Sequence, residues 1–151
     1  MDISDKKETS LTETPTVFKN QFTASKKPHY ACYVDGKWDV EMIGTKDKVG
    51  AGRTYAGIFG HPIQGITIEG VKKYRVCTST GGWTDYTEGF DKTSPIGDGS
   101  NIIGIEIVDP KAMVAVHIKG GMWLEPVSTS ATEGAVVIGC HAPIDAIWID
   151  R

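Results

Sequence analysis

The stretch GHPIQGITI, residues 60–68, ends on an Ile-x-Ile pair behind a small residue, and the same kind of ending occurs twice more. Residues 99–107 read GSNIIGIEI and residues 141–149 read HAPIDAIWI. In the three copies Ile66 and Ile68, Ile105 and Ile107, and Ile147 and Ile149 alternate with Thr67, Glu106 and Trp148. A period of two places the isoleucines on one face of a strand and the variable residues on the other. The position before each pair holds Gly65, Gly104 or Ala146, as a close approach of another strand or a sharp twist would require. The pattern predicts one β unit written three times, with the Ile-x-Ile strands meeting at a central core.

The tryptophans set the register of the rest. Trp38, Trp83 and Trp123 each follow glycine in a turn-like context, DGKW, GGW and GGMW. A strand-like segment precedes each one, YACYV, YRVCT and MVAVHI, and a more polar one comes after it. A Gly-rich loop of variable length then leads to the Ile-x-Ile strand. A period near 40 residues with several short strands is the signature of a repeat architecture. The expected units are residues 29–71, 72–111 and 112–151, forming an all-β domain with pseudo-threefold symmetry. Two architectures fit, a β-prism and a β-trefoil, and periodicity does not separate them. The prism is preferred because each unit has few clear strands and no barrel-closing hairpin.

Composition agrees with a globular β domain. The chain has 151 residues, 40% hydrophobic and 23% charged, long enough for a core of its own. Its 18 glycines favour turns and short strands over long helices. A net charge of -3 offers no electrostatic footprint for nucleic acid, and no apolar run is long enough to span a membrane. Neither nucleic acid nor membrane is therefore an expected partner. The three cysteines, Cys32, Cys77 and Cys140, show no zinc spacing, and nothing in the sequence calls for a disulfide. The beginning MDISDKKETS lacks the pattern of a secretory signal, so synthesis in a cytoplasm is expected.

Residues 1–28 differ from the rest of the chain: rich in Ser, Thr and Lys, without glycine, and with Val17, Phe18 and Phe22 as the only sizeable apolar group. Such a segment cannot bury enough surface to fold alone. It reads either as a flexible tail or as an arm that docks on a partner through Phe18 and Phe22.

Chemistry-bearing residues are few. Counting back six positions from each repeat tryptophan gives Cys32, Cys77 and His117, a set of types that can bind zinc. Their strand neighbours are partly polar, which turns this face outward, where the three side chains diverge. They are read as sheet-face residues, and no metal or cofactor is expected. No nucleophile elbow or zinc helix accompanies the histidines. Asp39, Glu41, Asp85, Glu88 and Glu125 fall where solvent-facing strand residues would, and catalysis is not expected. The aromatic residues offer more. Trp38, Trp83 and Trp123 beside Gly turns, with Tyr55, Tyr86 and Trp148, are the candidate ligand contacts. Core packing is the competing reading for the three repeat tryptophans. Trp148, taking the place of Thr67 and Glu106 on the non-isoleucine face, is a contact candidate.

The segments KYRVCTSTGGWTDYTEG, YAGIFGHPIQGITI, VAVHIKGGMWLEPV and APIDAIWI resemble the tandem repeats in cell-wall-binding regions of endolysins from phages of Gram-positive bacteria. More distantly they are similar to clostridial hydrophobic repeats with a tryptophan. The resemblance covers about residues 29–151. Cys32 and Cys77 stand where the family has His, only His117 matches, and the Tyr-Ala-Gly element of the first unit, residues 55–57, has no clear copy in the other two. The resemblance implies a non-catalytic, lectin-like module that binds bacterial surface glycan. The expected protein is a carbohydrate-binding module of phage type, attached to a virion or other virion proteins through residues 1–28, or acting at the bacterial surface after release. The alternative is a structural virion decoration or fibre-associated protein without glycan affinity.

Overall fold

The computed structural model describes residues 27–132, 135–138 and 142–151. Among the described residues thirteen strands succeed one another: β1 (His29–Val34), β2 (Lys37–Trp38), β3 (Met42–Ile43), β4 (Lys46–Asp47), β5 (Ala56–Gly57), β6 (Ile63–Glu69), β7 (Lys73–Thr78), β8 (Gly82–Trp83), β9 (Ile102–Val108), β10 (Met113–Ile118), β11 (Val127–Ser128), β12 (Ala135–Ile138) and β13 (Ile144–Asp150). A single 3₁₀ turn, Thr129–Thr132, interrupts them, and no α-helix occurs among the described residues. The fold is all-β, in three antiparallel sheets of order β2-β1-β3-β4 with β6 on β1, β12-β9-β7-β8, and β11-β10-β13-β5, none of which closes on itself.

The three Ile-x-Ile stretches form β6, β9 and β13, and each pairs with the strand that precedes a tryptophan. Ile66 faces Cys32 across the ladder, Ile105 faces Val76, and Ile147 faces Val116. One position on, Gly65, Gly104 and Ala146 face Tyr33, Cys77 and His117, and in all three pairs the register shifts immediately afterwards. That irregularity explains the small residue: a bulge twists the strand and crowds its neighbour. It also brings a further isoleucine, Ile63, Ile102 or Ile144, to the inside. All nine isoleucines of these strands' inner faces are buried, and β6, β9 and β13 each contact the other two around one core.

A second partner comes to each of these strands from a distant part of the chain. Ala56 of β5 lies opposite Ile147, Ile96 bridges Ile66, and Ile138 of β12 lies opposite Ile105. The function of the Tyr-Ala-Gly element is thus carried elsewhere by a different sequence, residues 95–97. Glycine is required after two of these crossings. At Gly57 (φ 112°) a Cβ would lie 2.2 Å from the Asp145 carbonyl oxygen, and at Gly97 (φ 143°) 2.7 Å from that of Gln64.

Two core tyrosines reach across in the same direction. The Tyr74 hydroxyl accepts the Ile68 amide at 3.0 Å and donates to the Gly89 carbonyl at 2.9 Å. The Tyr30 hydroxyl accepts the Ile149 amide at 3.1 Å and donates to Gly44 at 3.2 Å. Burial pushes both phenols up, so they stay protonated and can donate. At the matching place on β10 stands Val114; there β12 runs along β9 with Val136 opposite Ile107. Gly70, Asp109 and Arg151, each two residues past the last isoleucine of its strand, come together: the buried Arg151 guanidinium donates to the Gly70 carbonyl and, at 3.0 Å, to the buried Asp109 carboxylate.

One expectation is corrected here. Cys32 is fully buried in the core, whereas Cys77 and His117 lie on the outward face. The residue in the first sheet that matches Cys77 and His117 is Tyr33. Asp35 and Gly36 form a two-residue turn with both φ values positive, so that Val34 pairs with Lys37. The turn before Trp83 is one residue longer, with Thr78 opposite Gly82. Counting back from the tryptophan therefore changes parity in the first segment, and a one-residue slip flips every side chain. At the other boundary, Lys27 and Pro28, read as part of the arm, lie against the domain: the Gly44 amide donates to the Pro28 carbonyl at 2.7 Å and Lys27 Nζ pairs with Asp150 at 3.1 Å.

Truncating Ile66, Ile105 or Ile147 to Ala is expected to cost about 2–5 kcal/mol at each site, read from urea unfolding, since each leaves a cavity in one shared core. Tyr74→Phe keeps the ring but strands the buried Ile68 amide, for an expected loss of about 1–3 kcal/mol. A variant of unchanged stability in either set would contradict this packing.

Candidate functional site

Three of the six candidate aromatic residues meet at one place. A cleft of about 300 Å³ is lined by Thr54, Tyr55, Ala115, Trp123, Leu124, Pro126 and Trp148. Each wall has its own cause. Trp148 alternates with the core isoleucines on β13 and so faces outward, directly opposite Ala115 of β10. Trp123 bridges His117 at the end of β10. Tyr55 arrives from the first sheet because β5 crosses to β13. That crossing is anchored by Asp39, whose carboxylate accepts the Gly57 amide at 2.9 Å and pairs with the Arg53 guanidinium. Burial pushes the Asp39 carboxyl up, but Arg53 and the Gly57 amide outweigh it and hold it below the usual range. The floor is open because Ala115 is small; at the corresponding pair in the second sheet Arg75 and Glu106 fill the space.

Behind the cleft the rings form a packed cluster. Tyr55 stacks on Phe59 with centroids 4.9 Å apart, Phe59 stacks on His117 at 4.2 Å, and Trp123 stands edge-on to Tyr55 and His117 at 5.6 and 5.4 Å. The orientation of His117 is fixed by Asp145, fully buried, whose oxygens lie 2.6 Å from Nδ1 and 2.7 Å from the Gly60 amide nitrogen. The contact holds the imidazole in the orientation in which Phe59 and Trp123 pack against it. Phe59, Asp145 and Ala115 were not singled out from the sequence. A carboxylate within the apolar run IDAIWI was the available signal for Asp145.

The remaining candidates sit elsewhere. Trp38 is half-buried, its indole N–H donating to the Lys92 carbonyl at 3.2 Å and its ring edge-on to Tyr33 at 5.4 Å. Trp83 and Tyr86 share the outward face of the second sheet and are 41% and 40% exposed, with Arg75 lying over both rings at 4.9 and 4.6 Å. Phe18 and Phe22, and Cys140, lie outside the described residues. Cys32, Cys77 and His117 do not converge, and no group of three or more metal-ligating side chains occurs among the described residues.

The acidic residues divide likewise. Asp85, Glu88 and Glu125 are exposed, while Glu41 is the hub of an ion cluster. Its oxygens lie 2.7 Å from Lys92 Nζ, 2.9 Å from His29 Nε2 and 3.3 Å from Lys48 Nζ. The other ring nitrogen of His29 faces Glu69 at 2.8 Å, and the imidazole stacks on Phe90 at 3.9 Å. Hydrogen bonds from Lys92 and His29 hold the Glu41 carboxyl down at about 2.

Comparison of the chain with protein-family models, with curated proteins and with solved structures finds no match in any of the three.

The depressed Glu41 carboxyl makes a signed prediction. Its contribution to stability is fully present above the ordinary carboxylate value of 4.5 and is lost as pH falls towards 2. Partial exposure and solvent screening limit it to on the order of 1 kcal/mol. Thermal unfolding measured from pH 7 to pH 2 should show Glu41→Gln less stable than the parent at pH 7, with the gap closing as the parent is acidified. A gap that stays constant to pH 2 would remove Glu41 from the acid response.

Proposed function

We propose that this chain is a non-catalytic glycan-binding module, built from three β units in a prism-like arrangement, and that its principal site is the cleft of Tyr55, Trp123 and Trp148. The observation that carries the reading is convergence. Three aromatic residues far apart in sequence, none needed to complete the buried core, line one open cleft with Thr54 at its edge. Aromatic faces with a few polar neighbours in a pre-formed groove suit the apolar faces of a pyranose. Sugar binding of this kind is weak at each site and depends on several sites acting together. The resemblance to cell-wall-binding repeats supports bacterial surface glycan as the ligand. Residues 1–26 then serve as the docking arm towards other virion proteins, and the site of action is the virion or the bacterial surface.

The unit arrangement is supported by agreement at equivalent positions. Beyond the shared register and bulge, the amide following each tryptophan donates to the preceding strand: Asp39 to Cys32 at 2.9 Å, Thr84 to Val76 at 2.8 Å and Leu124 to Val116 at 2.9 Å. A prism fits better than a trefoil because no sheet closes into a barrel.

A second reading, a structural decoration without glycan affinity, draws support from exposed apolar side chains beside the cluster, Phe59 at 47% and Met122 at 72%. Such groups suit a protein contact.

Retention on purified Gram-positive cell walls separates the two. Trp148→Ala is expected to lower retention several-fold, and Ala115→Leu, which fills the cleft floor and leaves every ring in place, should do the same. Circular dichroism and the unfolding midpoint serve as the check on folding. Deleting residues 1–26 should leave wall binding intact. If the folded parent binds no wall preparation, the decoration reading replaces this one.

A further inference from the structure

The outward face of β7 and β9 differs in chemistry from the cleft. Lys73 and Arg75 are two residues apart on β7 and both project outward, with Tyr86 and Trp83 beside them. Lys73 Nζ sits 4.2 Å from the centre of the Tyr86 ring, and the Arg75 guanidinium is 4.6 Å from Tyr86 and 4.9 Å from Trp83. Rings held this way are covered by cations, which leaves them poorly placed to stack on a neutral sugar.

The charges on this face do not balance. Only one of the two cations is paired: Glu106, mostly buried opposite Arg75, accepts its Nε–H at 2.6 Å and also bonds the Tyr86 hydroxyl. Lys73 has no carboxylate partner among the described residues. Glu106 engages Arg75 through Nε, and the two terminal amino groups have no acceptor among the described residues. A planar guanidinium fixed by a carboxylate on one edge and by aromatic faces is pre-organised to present its free edge to an oxyanion. Little side-chain freedom remains to be lost on binding. On the cleft face one cation lies over a ring, Arg53 at 5.4 Å from the centre of Tyr55, but Asp39 pairs with both of its terminal amino groups, and the opposed ladder pair there is the uncharged Ala115 and Trp148.

We infer that Lys73, Arg75, Trp83 and Tyr86 form a second ligand site, which takes an oxyanion carried on a saccharide, either a phosphate ester or a carboxylate. The saccharide part of this inference rests on the glycan reading above; the anion part stands on this face alone. With two sites of different chemistry, the module would discriminate in favour of acidic glycans.

Three probes that share one ring test this: glucose, glucuronate and glucose 6-phosphate, titrated into the full chain while the indole N–H resonances are followed. Both anionic sugars, or one of them, should shift the Trp83 resonance where glucose at equal concentration does not, and the two arms distinguish carboxylate from phosphate. The response should weaken on raising salt, as expected for exposed charges. Lys73→Gln, an exposed change that leaves Glu106 paired, should reduce anion affinity roughly three- to tenfold. Arg75→Gln should reduce it further, and Lys73→Gln alone decides if that variant does not fold. Trp148→Ala should leave the anion response intact while weakening retention on cell walls; anion binding that persists where no wall is bound supports this site and removes the cleft reading. Equal responses to all three sugars, or unchanged affinity in Lys73→Gln, would reduce the array to a cation–π ladder that only braces the sheet.

Discussion

The burial of three Ile-x-Ile strands against one another is the constraint on which everything else in this molecule depends. β6, β9 and β13 each contact the other two, and their inward isoleucines make up much of the largest fully buried side chains. A core shared among three strands from three sheets cannot be completed by any one sheet. The backbone at this junction must also be satisfied, because buried amides left without acceptors cost as much as several apolar contacts contribute. The chain meets that demand by sending Ala56, Ile96 and Ile138 across as second ladder partners, and Tyr30 and Tyr74 as hydroxyl acceptors. Stability and connectivity are therefore one problem here, solved by exchange between distant segments.

That exchange also creates the candidate site. β5 crosses to pair with β13, and in crossing it places Tyr55 beside Trp123 and Trp148. The segment is pinned at its origin by Asp39 and Arg53 and at its end by a glycine whose Cβ would clash with the Asp145 carbonyl. The cleft so formed is rigid on two sides, and its floor is set by a single small residue, Ala115. In the glycan-binding reading we propose, pre-formation of this kind is what lets a weak stacking interaction show as measurable affinity. The second sheet uses the corresponding positions for Arg75 and Glu106, so equivalent places on one scaffold carry opposite chemistry.

Much of the interior was legible in the sequence because period two is a local property. Alternation at Ile66 and Ile68, and at its two counterparts, fixed which face is buried, and Gly65, Gly104 and Ala146 marked the place of the bulge. Cys32 was misread for an equally local reason. The two-residue turn at Asp35 and Gly36 is one residue shorter than the turn before Trp83, and counting from Trp38 moved the thiol to the wrong face. Glu41 and Asp39 read as solvent-facing acids, yet each is engaged inside the fold, Glu41 by Lys92, Lys48 and the His29 ring and Asp39 by Arg53. Apart from His29 at the start of β1, their partners come from loops whose path no spacing rule gives.

The sequence by itself determined the all-β class, the buried isoleucines, the small residue before each pair and the outward placement of Trp148. All of these arise from backbone geometry within a few residues, which side-chain alternation reports directly. Only the tertiary structure decided which aromatic residues would meet. Tyr55, Trp123 and Trp148 converge, Trp83 and Tyr86 lie under Arg75 and Lys73, and Trp38 packs by itself against Tyr33. Those outcomes depend on where a crossing segment lands and on the residue directly opposite across a ladder. Such pairings are set by contacts between positions far apart in the chain, and a one-dimensional pattern does not encode them.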